Sequence, residues 1–123
     1  MGQKEPKNEG ALRPRKERGV YATLRAARMS RLRGAILLLL AESAPEPLNA
    51  EVVRGVLERH QMGVTTQELA QALDYLRGRG YVDYQVIEAR DYPALPRLVG
   101  VRITAAGRDL VDATTDDPGV DLG

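Results

Sequence analysis

At 123 residues the chain has room for one domain with terminal extensions, and a core of about 75 residues is large enough to fold alone. The absence of cysteine excludes a disulfide framework and any thiolate metal site, and it fits a reducing compartment. The net charge of +1 hides an uneven distribution: residues 1–34 hold ten Lys or Arg against three Glu, whereas residues 108–123 hold Arg108 against five Asp.

In chain order, residues 1–18 combine Pro6, Gly10 and Pro14 with few apolar side chains, which predicts a mobile basic arm. Met1 to Gly10 has no apolar stretch of the signal-peptide kind. The longest apolar run, Ala35 to Ala41, falls far short of the roughly 20 residues a membrane span requires. A cytoplasmic protein without membrane contact is therefore expected.

Val20, Tyr21, Leu24, Ala27 and Met29 repeat at helical spacing and predict a first helix over 20–29. Ser30 either caps the next helix or is passed through. Leu32, Ile36, Leu39 and Leu40, widened by Leu37 and Leu38, predict a helix buried on most sides and ending near Ser43, before Pro45 and Pro47. Asn49 is placed to cap a further helix whose buried side is Val52, Val53, Val56 and Leu57. His60 to Gly63 form its exit turn, and Thr65 or Thr66 caps a helix running to about Arg77. Leu69, Leu73 and Leu76 form the inward face of that helix, while Gln67, Gln71 and Asp74 lie opposite, flanked by Glu68 and Tyr75.

Tyr81, Val82, Tyr84, Val86 and Ile87 predict a strand, which the prolines of the 90–97 segment interrupt. Leu98, Val99, Val101 and Ile103 return as its partner. Thr104 caps a short last helix with Leu110 and Val111, and the acidic residues 114–123 are expected to be mobile. The folded domain thus spans residues 19–113. Helices joined by tight turns and followed by a hairpin are a mainly α fold with a small β-hairpin, the winged helix-turn-helix arrangement.

Two stretches carry a resemblance. Leu69 to Val82 resembles the recognition helix and first strand of bacterial winged-helix regulators, and Val101 to Leu110 resembles the strand and helix entry that close such domains. With its Pro118-Gly119-Val120 tail, the chain is similar over residues 30–120 to the small winged-helix protein of Mu-like transposable phages. The resemblance implies binding of double-stranded DNA, as a small transcriptional regulator or DNA-handling factor of a phage or other mobile element.

On such a scaffold Gln67 and Gln71 are candidates for adenine edges in the major groove, because a side-chain amide donates and accepts at once. Thr65, Thr66 and the amides of the helix start are candidates for a phosphate, and the Tyr75 hydroxyl is a further phosphate candidate. Arg90, Arg97 and Arg102 on the wing, and Arg13, Arg15, Lys16 and Arg18 on the arm, supply cations for the DNA backbone. Each has a plainer explanation: glutamines are ordinary helix formers on a solvent face, wing arginines blunt an exposed sheet edge, and Tyr75 covers the wing.

Glu68 and Asp74 repel phosphate and favour the alternative, a winged helix used as a protein interaction module. The apolar stripe of 20–29 suggests a homodimer through that helix. No catalytic residue, cofactor or metal site is expected, since His60 is the only histidine and neither serine lies in a nucleophile elbow.

Overall fold

The computed structural model describes residues 15–90 and 96–123, without the side chains of 15–18. Helix α1, Arg15–Ser43, runs unbroken through Ser30. It therefore begins inside the segment expected to be an arm, and it absorbs the separate 20–29 helix. No proline interrupts it before Pro45, and Ala22, Ala26, Ala27 and Ala35 favour continuation. Its two halves differ in burial. Residues 19–28 are all exposed, whereas Leu32, Ile36, Leu37 and Leu40 are fully buried. The buried stripe is narrower than its run of leucines suggests, because Leu38 is 42% exposed.

Helix α2, Ala50–Arg59, buries Val53 and Leu57, while Val52 is turned to solvent. Asn49 occupies its N-cap position without a side-chain capping bond; its Oδ1 instead accepts from the Gly100 N–H at 3.3 Å. At the other end Met62 N–H donates to Leu57 O and Gln61 N–H to Glu58 O, the paired bonds of a Schellman turn. The left-handed position of that turn is held by Gln61, at φ 64°. A side chain there strains the backbone by about 1 kcal/mol. Gln61→Gly is accordingly expected to raise the stability of the domain by about 0.5–1 kcal/mol in denaturant unfolding, and an unchanged or lower midpoint would contradict this account.

Helix α3, Thr66–Gly78, presents Leu69, Ala72, Leu73 and Leu76 to the core. It is followed by strands β1, Val82–Ile87, and β2, Arg97–Ile103, which pair antiparallel from Val82 opposite Ile103 to Ile87 opposite Arg97. Between Asp83 and Gln85 the register shifts by one residue, and on β2 that extra residue is accommodated at Gly100, at φ 65°. Val101 also exchanges backbone bonds with Leu48 at 2.7 and 2.9 Å, so the loop between α1 and α2 docks on the far edge of the hairpin. Helix α4, Ala105–Val111, is capped by Thr104, whose Oγ1 accepts from Gly107 N–H at 3.1 Å. Arg108 reaches back to the Ala41 carbonyl near the end of α1.

The C-terminal segment, expected to be mobile, is packed. Val120 is 8% exposed within the core, Asp121 N–H donates to Ser30 O at 3.0 Å, and Asp117 is buried. The acidic composition conceals this because one aspartate has neutral and cationic partners waiting for it on α3 and in the turn that leads to β1.

Candidate nucleic-acid interface

The outer face of α3 is built by exclusion: with its leucines committed to the core, Gln67, Ala70, Gln71, Asp74 and Arg77 are left exposed. Its first turn is closed by a capping box. Thr65 Oγ1 accepts from Glu68 N–H, and Glu68 Oε1 accepts from Thr65 N–H, both at 3.0 Å. Arg28 of α1 donates to the same Oε1 at 3.1 Å. The Thr65 N–H holds the Glu68 carboxyl below the usual range against slight desolvation, with help from Arg28. The acid expected to repel phosphate is therefore committed to the protein. Thr66 stands exposed at the start of the helix.

Two arginines that the sequence does not single out fix the turn before α3. Arg28 also donates to Gly63 O at 3.3 Å, and Arg54 Nε donates to Val64 O at 3.1 Å. The turn is thus tied to both α1 and α2. Arg77, one turn beyond Asp74, is a third, its guanidinium lying 4.6 Å from the Tyr84 ring centroid at the junction of α3 and the hairpin. Arg77 is legible from its spacing along the exposed face; Arg28 and Arg54 act through carbonyls of a distant turn, which no spacing reveals.

The expected site residues divide between separate places. Thr65, Gln67 and Gln71 line one surface groove of about 560 Å³ with Leu24, Arg25, Arg28, Met29 and Glu68, between α1 and the start of α3. Arg90 and Arg97 are exposed on either side of the hairpin tip. Arg102, paired across the strands with Asp83, faces the loop after α1 and lines grooves with Pro45, Glu46 and Pro47 that no α3 residue enters. Arg13 lies outside the described residues, as do the side chains of Arg15, Lys16 and Arg18 at the start of α1.

Tyr75 belongs to a different constellation. Its ring lies 3.7 Å from the Arg33 guanidinium and 5.2 Å from that of Arg79, and its hydroxyl donates to Asp117 Oδ1 at 3.3 Å. Asp117 further accepts from the Tyr81 hydroxyl at 2.7 Å and from Gly119 N–H at 2.8 Å, with Arg79 Nε at 4.0 Å. Arg33 completes the cluster by donating to Gly119 O at 3.0 Å. The bond to Asp117, reinforced by desolvation, pushes the Tyr81 hydroxyl up to about 12. Burial alone would raise the Asp117 carboxyl, but the Tyr81 hydroxyl, Gly119 N–H, Arg79 and Tyr75 together bring it below its ordinary value.

Among the described residues no cluster of His, Asp or Glu has the arrangement of a metal site, and no helix is long and apolar enough to cross a membrane. No protein-family model matches the chain, and no curated protein is similar to it in sequence. Among solved structures, a PadR-like transcription factor from Bacteroides fragilis superposes with a TM-score of 0.56 at 21% identity, over 78% of this chain and 84% of that one. At that identity the likeness concerns the fold. The order of helix-turn-helix, hairpin and closing helix gives this chain the winged helix-turn-helix fold.

Proposed function

We propose that the protein is a DNA-binding winged-helix regulator. The observation that carries this reading is the outer face of α3, where Gln67 and Gln71 are free at the surface while Glu68 is bound up by its capping box and by Arg28. In this function Gln67 and Gln71 meet base edges, Thr65 and Thr66 hold a phosphate, and Arg90 and Arg97 place the wing on the backbone. Arg102 and the arm residues Arg13, Arg15, Lys16 and Arg18 add affinity that does not depend on sequence. The neighbour's description as a transcription factor supports the same reading.

Equilibrium binding to a random-sequence duplex over a salt series tests it. Affinity is expected to fall steeply with salt, and removal of residues 1–18 is expected to shallow the slope by about 0.9 for each phosphate that the arm neutralises. Absence of binding at low salt would overturn the proposal.

The regulator works as a homodimer in this reading. Val20 and Leu24, 53% and 61% exposed among the exposed residues 19–28 of α1, offer apolar surface for a second copy to cover. A sedimentation mass that stays monomeric at rising concentration would exclude it. The capping of Glu68 removes one of the two acids that favoured a basic protein partner for α3. A setting in a phage or other mobile element is supported by the Pro118-Gly119-Val120 resemblance, and the genes adjoining this one test it.

A further inference from the structure

A helix that enters the major groove is flanked by two phosphate strands, and cations beside it normally meet them. The outer face of α3 offers Gln67, Gln71 and Asp74, and its first cation is Arg77, near its far end. The start of α3 therefore carries no side-chain positive charge of its own. The neighbouring half of α1 does.

Arg28 fastens that half of α1 to α3 through Glu68 and to the preceding turn through Gly63. One turn earlier, Arg25 lines the same groove, is exposed, and has no ion-pair partner among the described residues. Leu24 and Met29 line the groove from α1 with apolar surface, and Thr65, Gln67 and Gln71 line it from the start of α3. Arg31 is also exposed on α1 but does not line the groove.

We infer that the groove between α1 and the start of α3 receives a phosphate strand of duplex DNA, with Arg25 as the phosphate ligand and Arg28 as a positioning residue. The inference rests on the DNA-binding reading above and names the surface by which that binding is anchored. Charge selects this occupant: residues 1–34 hold ten Lys or Arg against three Glu, a surplus that attracts a polyanion. The first half of α1, held by Arg28, then delivers to the recognition helix the cation that the start of that helix lacks. Discrimination by Gln67 and Gln71 is kept separate from anchoring by α1.

The test compares the 123-residue chain with Arg25→Ala and Arg31→Ala, which remove the same charge from the same helix. Binding of each to a labelled random-sequence duplex is measured over a salt series, with solution mass and thermal midpoint recorded alongside. Arg25→Ala is expected to weaken binding by about 5–10-fold at moderate salt and to shallow the log–log salt slope by about 0.9. Arg31→Ala should stay within about two-fold of the parent, and both midpoints should be unchanged because both side chains are exposed.

Equal losses in the two variants, or no loss in Arg25→Ala, would overturn the assignment while leaving DNA binding intact. A loss in Arg25→Ala that tracks a fall in solution mass would make the groove a subunit interface and overturn it as well. Failure of the parent protein itself to bind at low salt would remove the DNA-binding reading on which the inference rests.

Discussion

Replacing Asp117 by asparagine is expected to release the C-terminal segment and to lower stability by about 2–4 kcal/mol. The carboxylate is 5% exposed and serves two tyrosine hydroxyls and a backbone N–H at once. An amide has only one acceptor oxygen and turns an N–H group toward the other donors, so among the part-buried Tyr75 and Tyr81 hydroxyls and the Gly119 N–H at least one loses its acceptor. The loss has a ceiling, the free energy with which the segment docks. Burial of Val120 contributes about 1.5–2 kcal/mol of that, and the Asp121 bond to Ser30 and the Arg33 bond to Gly119 add to it.

The ceiling gives a sharper test. A Cβ on Gly34 would collide with the backbone of Asp121, so Gly34→Ala should expel the same segment from the other side. The double variant is therefore expected to melt little lower than the worse single one, where independent sites would add. Strict additivity, or an Asp117→Asn protein that melts like its parent, would show that the segment contributes little.

The cluster also has a defined pH window. Asp117 ionises more readily in the folded protein than in the unfolded chain, so its contribution is full above the ordinary carboxylate range and is lost as pH falls through its depressed folded value. Tyr81 works in the opposite direction. Its folded value is raised from 10.0 to about 12, so its contribution is full below pH 10 and disappears as pH rises toward about 12. The segment is held throughout the neutral range. A near-ultraviolet titration should find one of the five tyrosines ionising late, and Asp117→Asn should bring it back toward the ordinary value.

The same cluster marks where the sequence stops being informative. Leu69, Leu73 and Leu76 declare the inner face of α3 by spacing alone, and the exposed Gln67 and Gln71 follow from it. The hairpin is equally plain, because its branched and aromatic residues flank two prolines. Asp117 is different. Five aspartates in the last sixteen residues look solvated as a group, and nothing local separates the one whose partners lie 36 and 42 residues earlier in the chain. The Pro118-Gly119-Val120 motif acquires a physical meaning here: Gly119 lies against the Tyr75 hydroxyl, where a Cβ would collide, and Val120 fills the core. Helix continuity through Ser30 is ambiguous in the sequence for a related reason, since a serine serves as cap or helix interior depending on what packs beside it.

Gly107→Ala is expected to cost about 2–3 kcal/mol and to weaken the DNA binding proposed above further than that loss of stability explains. Gly107 sits in the first turn of α4, and a methyl group there would run into the Tyr81 carbonyl and come within 2.8 Å of Ile103 Cγ1. That carbonyl is not free to retreat. Tyr81 N–H is bonded to Leu76 O as α3 ends, its carbonyl accepts from Thr104 N–H at 3.0 Å, and the Thr104 hydroxyl is bound to Gly80 O at 2.5 Å. The end of α3, the root of β1 and the cap of α4 thus meet at one point, and any displacement there changes the angle between α3 and the hairpin. Gly55→Ala provides the comparison. Gly55 lies within α2 with open space around the added methyl, so the same chemical change should stabilise the domain by about 0.5–1 kcal/mol. Thermal unfolding of the two variants should therefore shift in opposite directions, and only Gly107→Ala should lose affinity for duplex DNA at a temperature where both are fully folded. Matching shifts, or a Gly107→Ala protein that binds normally, would show that the junction does not set the geometry between α3 and the hairpin.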